Sequence, residues 1–537
     1  MIVFQQWNNR HSGRLCKSKL LTSLLLNAAS CRYRYWSSAF TISLLFMRQQ
    51  TMLIIRNYRL VALILLLTAA CSPTPEYDIV LEGGRVMDPA SGIDSILNVA
   101  VAGDSIASIS ASPLRGAKVL DVSGLVVAPG FIDLHAHGQT KGDMHLQVRD
   151  GVTTALEMEI GVHPIAEWYE SMDGKAPINY GATVSHLGAR FAVFHEGFGV
   201  LHWPTNRAGF AELGDSPAGA NERATPMQVD SIASLLKTGL AEGALGIGFG
   251  IHYTPAATYA EIDEMLRVAS EADVPAFVHP RAFGIEPIRE IVTAADRAGA
   301  ALHIVHIGSS ALDDLPLALA LIDSARATGQ DVSTEVYPYT AASTTIESAL
   351  FNPGWKEVLR IGYEDLAWAL TGERLTEESF EYYRQKGGWV IIYMMKDEHV
   401  ERAIAHPGVI IGSDGVPFVN DTGHPRGAGT FARVLGHYSR DKQLLPLMDA
   451  LTRMTILPAR RLEGHVPAMH RKGRLAVGAD ADITVFDPEA VIDKATFESP
   501  TTPSGGIPHV LVNGSFVVYN GELIPDTFPG RPVRANR

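Results

Sequence analysis

Cysteine is nearly absent from this 537-residue chain, and all three, Cys16, Cys31 and Cys71, lie at or before residue 71. The long remainder therefore has neither a disulfide framework nor a thiolate to offer a metal. Acidic residues are missing at the start: none precedes Glu76, although nine Lys or Arg fall within residues 1–70. Beyond residue 70 the balance is 36 basic against 58 acidic side chains, an excess of negative charge that repels phosphate backbones and anionic lipid surfaces. A nucleic-acid partner is excluded on that ground. Long apolar runs are lacking too. The richest, from Leu60, holds about eleven apolar residues, too few to span a bilayer of ~30 Å. The length itself suffices for one large domain of about 250 residues or more and a smaller one.

What the chain does have is histidine at the ends of apolar runs. Ala128-Pro-Gly-Phe-Ile-Asp-Leu-His-Ala-His137 carries two, His135 and His137. Side chains two apart on a strand point the same way, so both imidazoles can reach one ion. The apolar stretch from Leu125 to Leu134 reads as a buried strand with these histidines at its carboxyl end, where a parallel α/β barrel keeps its chemistry. Val274 to His279 and Ala301 to His306 each end in histidine, and Val409 to Asp414 ends in a carboxylate. Imidazole and carboxylate suit zinc and related divalent ions, and a catalytic site keeps one position open. Singly, each reads more readily as a satisfied core histidine or a capping Asp. Four such strand ends in barrel order point to a metal centre.

Residues 77–127 alternate short strands with Gly, Asp and Ser, as in Asp78 to Gly83, Asn98 to Asp104 and Ser105 to Ile109, and read as the first part of a small β-sandwich. Similar strands return in Ala481 to Asp487 and His509 to Tyr519, so residues 471–525 supply its second part, built from the other chain end, before a tail at 526–537. Over residues 128–470, strand runs alternate with helix-period segments, the α/β pattern of a parallel sheet. Candidate strands begin near Phe131, Val152, Tyr180, Ala244, Pro275, Ala301, Asp331 and Val409. Eight is the number that closes a TIM-like (β/α)8 barrel. The clearest helices are Tyr259 to Ala272 and Leu312 to Ala327. From about Phe351 to Tyr393 the connection exceeds a simple crossover, and is expected either as an insertion at the active-site mouth, a candidate lid, or as extra helices outside the barrel.

Residues 1–51 show no repeat or amphipathic period and read as an over-extended start with Met52 the initiator; a targeting extension is the alternative. Residues 52–71 read as an export signal: Arg56 and Arg59, the apolar Leu60 to Leu67, then Thr68-Ala-Ala-Cys71. This segment resembles a bacterial lipoprotein signal, except that Thr68 stands where Leu is usual. Cys71 is then the lipidated residue, and the protein is expected in the periplasm, lipid-anchored to the outer membrane and otherwise free of membrane contact.

With His-x-His on the first strand, single histidines ending the fifth and sixth, and Asp414 ending the eighth, the chain resembles the metal-dependent amidohydrolase superfamily. Within it, the likeness is to the D-aminoacylase (N-acyl-D-amino-acid deacylase) family. Gly151-Val-Thr-Thr154, Gly243-Ala-Leu-Gly246 through Tyr253-Thr-Pro255, Tyr337-Pro-Tyr339, His424-Pro-Arg-Gly-Ala-Gly-Thr-Phe431 and Met454 to Arg460 carry it. Gly478-Ala-Asp-Ala-Asp482, Asp493 to Phe497 and Val512-Asn-Gly514 continue it, so that it runs from about Tyr77 to Leu523. The resemblance implies one or two divalent ions, zinc first, held by His135, His137, His279, His306 and Asp414. A bridging Cys usual to the family at the end of strand two is Ile160 here, which passes the ligand role to Glu159 or Glu157; the alternative is that both are solvated loop residues. A carboxylate bridges divalent ions as a thiolate does. No lysine lies in the eight candidate strands, which argues against a carbamylated-lysine bridge. The resemblance further implies that Arg426 binds a substrate carboxylate from a loop open at the catalytic face, and that Tyr253 and Tyr339 contact substrate. The family's Lys two residues after the sixth-strand His is Gly308 in this chain.

A metal centre of this kind lowers the pKa of a bound water towards ~7, so hydroxide is available to attack an amide carbonyl. Asp414 would take the proton and return it to the leaving nitrogen. The expected function is an exported hydrolase of small N-acylated amino acids, of D configuration. Two other readings stay open: a cyclic amidase or dipeptidase-like member of the same superfamily, and a lipoprotein that binds small molecules without turnover.

Overall fold

The structure, a computed structural model, describes residues 75–195, Phe198 and residues 217–535, with Met47 and Met52 the only residues described before them. The expected over-extended start, the signal segment and Cys71 lie, those two methionines apart, outside the described residues. Among the described residues no helix is long and apolar enough to cross a membrane.

Eight parallel strands follow one another round a sheet in chain order: Phe131–Asp133, Val152–Val162, Asn179–Ser185, Ile247–Gly250, Ala276–His279, Leu302–Ile304, Val332–Val336 and Val409–Ile411. The first and last are joined beyond their ends, where Ala136 bridges Gly415 and the amides of His137 and Gly138 donate to Gly415 O at 2.9 Å. Each of the eight expected strands is present, displaced by at most a few residues. Ile132, Leu156, Phe277 and Ile410, from strands all round the ring, pack together with Leu245 and Val305, which flank two more strands, and this places them in the barrel interior. Leu462, Val466, Met469 and Val533 close that core from below the strands.

The outer helices show why this sequence wraps the sheet. Ile285–Ala298 buries Ile288, Ile291, Val292 and Ala295 at helical spacing and leaves Glu286, Arg289 and Arg297 in solvent. It ends at Gly299, whose φ of 66° a side chain would resist. Pro226–Ala241 begins with a capping box, in which Thr225 Oγ1 accepts from Gln228 N at 3.3 Å and Gln228 Oε1 from Thr225 N at 2.9 Å.

The two chain ends build one nine-stranded sheet. Val126–Pro129 from the first end pairs antiparallel with Ile483–Phe486 from the second, and Leu81, Val99, Val127, Ile483, Val485 and Leu511 share a core. The expected tail is a correction: Val533 N donates to Tyr180 O at 2.7 Å and Tyr180 N to Arg531 O at 3.1 Å, so residues 530–535 run along the third barrel strand. The long insertion starts earlier than expected. Ala341–Thr345, Leu366–Trp368 and Trp389–Tyr393 form a three-stranded antiparallel sheet, packed with helix Glu377–Lys386 around Trp355, Phe380 and Ile392. It borders the cavity at the carboxyl ends of the strands, as the lid reading required of its position.

Candidate metal centre

His135 and His137 follow the first strand, and their Nε2 atoms lie 3.1 Å apart. Glu159, near the end of the second strand, reaches both: its Oε2 is 3.1 Å from His135 Nε2 and 3.0 Å from His137 Nε2, while its Oε1 is 3.0 Å from His306 Nε2. Asp414 Oδ1 stands 3.4 and 3.5 Å from the Nε2 atoms of His135 and His137. The donors form two groups that share Glu159: His135, His137, Glu159 and Asp414, and then Glu159, His279 and His306. His306 and Asp414 adopt φ of 34° and 50°, a left-handed turn that side chains rarely take and that recurs at functional sites.

These residues fit divalent ions by the chemistry of their unshared atoms. Every ligand histidine commits Nδ1 to an acceptor: His135 to Glu335, His137 to Glu157 at 2.6 Å, His279 to Pro280 O at 2.9 Å, and His306 to Ser310 Oγ at 3.0 Å. Ser310 Oγ donates its own proton to Val305 O, so it accepts from His306. Each ring thus carries its proton on Nδ1, and Nε2 is left a lone pair. The field agrees. Burial works against a charge on His135, yet Glu335, Asp414 and Glu159 outweigh it and hold its pKa well above the usual value. Nitrogens that attract a proton so strongly attract a metal cation. Burial would raise the Glu159 carboxyl, but His135, His137 and His306 hold it well below the usual range; burial works the same way on Asp414, and Arg426 with His135 lowers it. Burial and the neighbouring His306 lower His279 to about 4, so it stays neutral.

The expectations at single residues divide. His135, His137, His279, His306 and Asp414 are brought together. Of the two glutamates, Glu159 is among the donor atoms and Glu157 is not: its Oε2 is taken up by His137 Nδ1 and its Oε1 accepts from Ile160 N and Gly161 N. Both are buried, at 1% and 3% exposure, which removes the solvated-loop alternative. Tyr253 lines the cavity and its hydroxyl lies 3.2 Å from Thr344 Oγ1. Tyr339 is a correction. It packs behind the cavity against His424 and under Arg433, and Tyr337 lines the wall in its place. Arg426 is another. Rather than standing on an open loop it is buried as the first residue of helix Arg426–Arg433, with Nη1 2.8 Å from Asp414 Oδ2, Nη2 donating to Ser343 O at 3.3 Å, and the guanidinium over the Tyr337 ring. Asp414, Ser343 and Tyr337, which it contacts, line the cavity, and Arg426 itself does not. A Cβ at Gly308 would make ordinary contact with Val336 Cγ2 at 3.6 Å and Met395 Sδ at 3.8 Å, so the backbone there does not itself demand glycine.

The cavity has an apolar side, Ile160, Leu187, Phe191 and Ala220, and a polar side, Ser309, Tyr337, Ser343 and Thr344. Its floor is His137, Glu159, His279, His306 and Asp414. Sequence reasoning missed Glu335 and Tyr337. The first had a signal, a lone carboxylate inside the strand run Val332-Ser-Thr-Glu-Val336.

Comparisons with known proteins agree with this geometry. The model of the amidohydrolase family matches residues 224–518. N-acyl-D-glutamate deacylase of Alcaligenes xylosoxydans xylosoxydans is 32% identical over 502 residues, covering 85% of this chain and 96% of that protein. D-aminoacylase of the same organism is 34% identical over 480 residues, covering 83% and 95%. A crystal structure of N-acyl-D-glutamate deacylase from Bordetella bronchiseptica, complexed with zinc and a phosphonate mimic of the tetrahedral intermediate, superimposes with a TM-score of 0.73 at 27% identity, covering 86% of this chain and all of that one. The chain therefore belongs to the amidohydrolase family and, within it, is D-aminoacylase-like.

Proposed function

We propose that this protein is an exported, metal-dependent hydrolase that cleaves the amide bond of N-acyl-D-amino acids. The observation that carries the proposal is the convergence of six donors at the carboxyl ends of the barrel strands: His137, Glu159, His279, His306 and Asp414 on the floor of one cavity, and His135 directly behind them. Likeness to two deacylases of N-acyl-D-amino acids over nearly their full length supports the substrate class. The six residues would hold one or two divalent ions, which polarise an amide carbonyl and lower the pKa of a nearby water.

The chain's own residues supply the rest. Asp414 presents Oδ1 to the donor cluster while Arg426 holds Oδ2, so one oxygen is fixed and the other faces the reacting atoms. Held as a carboxylate, it accepts the proton of the attacking water and delivers it to the departing nitrogen, which cannot leave as an amide anion. Tyr253 and Tyr337, their hydroxyls kept protonated by burial, are donors available to the substrate. The apolar wall of Ile160, Leu187 and Phe191 receives an acyl chain or an apolar side chain. Export and lipidation at Cys71 rest on the signal-like residues 52–71 alone; Cys71→Ala should leave the protein unprocessed or release it from the membrane fraction.

A panel of N-acyl-D-amino acids, their L enantiomers and cyclic amides tests the substrate class. Turnover is expected for the D series and lost on chelation. Preference for cyclic amides would assign the cavity to ring opening instead.

A further inference from the structure

Two buried carboxylates stand beside the donor cluster without belonging to it. Glu157 Oε2 is 2.6 Å from His137 Nδ1, and its Oε1 accepts from the amides of Ile160 and Gly161 at 3.2 and 3.3 Å, so the carboxylate is fixed from both sides. Glu335 comes from the seventh barrel strand, which supplies no donor to either group. Its Oε1 binds His135 Nδ1, and its Oε2 lies 3.3 Å from the Nε2 of His303, whose Nδ1 pairs with Ser333 Oγ at 2.7 Å. Both glutamates are 1% exposed, and among the described residues their ion pairs are to histidines, with no Lys or Arg. A buried carboxylate with no permanent cation beside it is costly. A positive charge on the far side of each imidazole would offset it.

The other half of the centre is backed differently. His279 Nδ1 meets the carbonyl of Pro280 and His306 Nδ1 the hydroxyl of Ser310, both neutral. Each of the four rings is oriented, but only the His135 and His137 rings are polarised by a full negative charge. A carboxylate on the Nδ1 proton makes the opposite nitrogen a stronger donor and fixes its direction.

We propose that Glu157 and Glu335 are positioning residues that set how tightly the His135–His137 half of the centre holds its cation, while the His279–His306 half does not depend on them. The inference rests on the reading of the site as a metal centre and extends it to residues outside the ligand set. It divides the labour of the two strand-two glutamates: Glu159 is the shared donor and Glu157 the support of His137.

Zinc uptake by the full chain, freed of metal by chelation, tests this without any substrate, so an error in the assigned substrate class leaves the result intact. Anomalous diffraction from crystals soaked at graded zinc concentrations reads each half separately. Glu157→Gln and Glu335→Gln should each raise the zinc concentration needed to fill the His135–His137 position about 10–100-fold, the usual effect of losing such a partner. The His279–His306 position should fill as in the unaltered protein, and Glu157→Asp should recover part of the loss. Equal weakening of both positions, or filling of the His135–His137 position unchanged in both Gln variants, overturns the proposal. Should Glu335→Gln not fold, Glu157→Gln and its Asp counterpart decide it alone.

Discussion

At the scale of single residues, the site turns on how Asp414 is held. One oxygen faces the histidine nitrogens and the other the Arg426 guanidinium. Asp414→Asn keeps the size but cannot accept a proton, and should lower kcat about 10²–10⁴-fold while much of the fold and some of the metal are retained. A loss of only a few-fold would move proton transfer elsewhere. Arg426→Met removes the permanent charge that compensates Asp414 and leaves the buried carboxylate facing the histidines alone. Because Arg426 does not reach the cavity surface, kcat/KM should fall for an N-acyl amino acid and for its carboxamide alike. A loss confined to the free acid would show that the guanidinium reads the substrate's carboxylate directly. The comparison also marks where the sequence was legible. His135, His137, His279, His306 and Asp414 could be read because each ends an apolar run. Glu157 and Glu159 could not be separated by spacing alone, because strand two shifts register between Glu157 and Val162. Tyr339 was chosen over Tyr337 because a motif records which residues occur together, not which of them faces a cavity.

At the scale of elements, parallel strands buried on both faces leave continuous apolar runs, which is why all eight were visible within a few residues. The insertion was harder. Its first strand, Ala-Ala-Ser-Thr-Thr over Ala341–Thr345, has small and hydroxylated side chains and no apolar run to announce it. Yet this element carries much of the cavity wall, through Ser343, Thr344, Leu350 and Trp389. Its core of Phe351, Trp355, Leu366, Trp368 and Phe380 is separate from that of the barrel. Phe380 stacks on Trp355 with centroids 5.2 Å apart and is 2% exposed. Phe380→Ala should cost about 3–5 kcal/mol, borne by the insertion rather than the barrel. Limited proteolysis should then cut between residues 351 and 388 under conditions that leave the barrel whole, and KM should rise before metal content falls. A single cooperative transition shifted for the entire protein would show that the insertion and barrel share one folding unit.

At the scale of the whole molecule, the second part of the terminal sheet region is tied to the barrel by a buried polar knot. Lys472 Nζ contacts Asp482 Oδ2 at 2.7 Å and Asp480 Oδ2 at 2.9 Å. Asp482 also accepts from Asn179 Nδ2 at 2.9 Å, at the start of the third barrel strand, and from Asn513 N at 2.7 Å, in the terminal sheet region. The Gly478-Ala-Asp-Ala-Asp482 motif thus serves architecture, although sequence alone offered it only as a mark of resemblance. Burial would lower the Lys472 pKa, but Asp482 and Asp480 outweigh it and hold the ammonium above its ordinary value. A group whose folded pKa is raised contributes stability that is complete below its unfolded pKa, about 10.4 for lysine, and is lost as pH climbs through the folded value. Lys472→Met leaves the buried Asp482 without its cation and Asp480 with Arg471 alone, and should cost about 3–5 kcal/mol in urea unfolding. The deficit should hold constant from neutral pH to about 9 and shrink only above the ordinary lysine range. A deficit that fades between pH 7 and 9 would mean that Lys472 titrates as an exposed or destabilised amine, and that the barrel and the terminal sheet are joined by their apolar contacts instead.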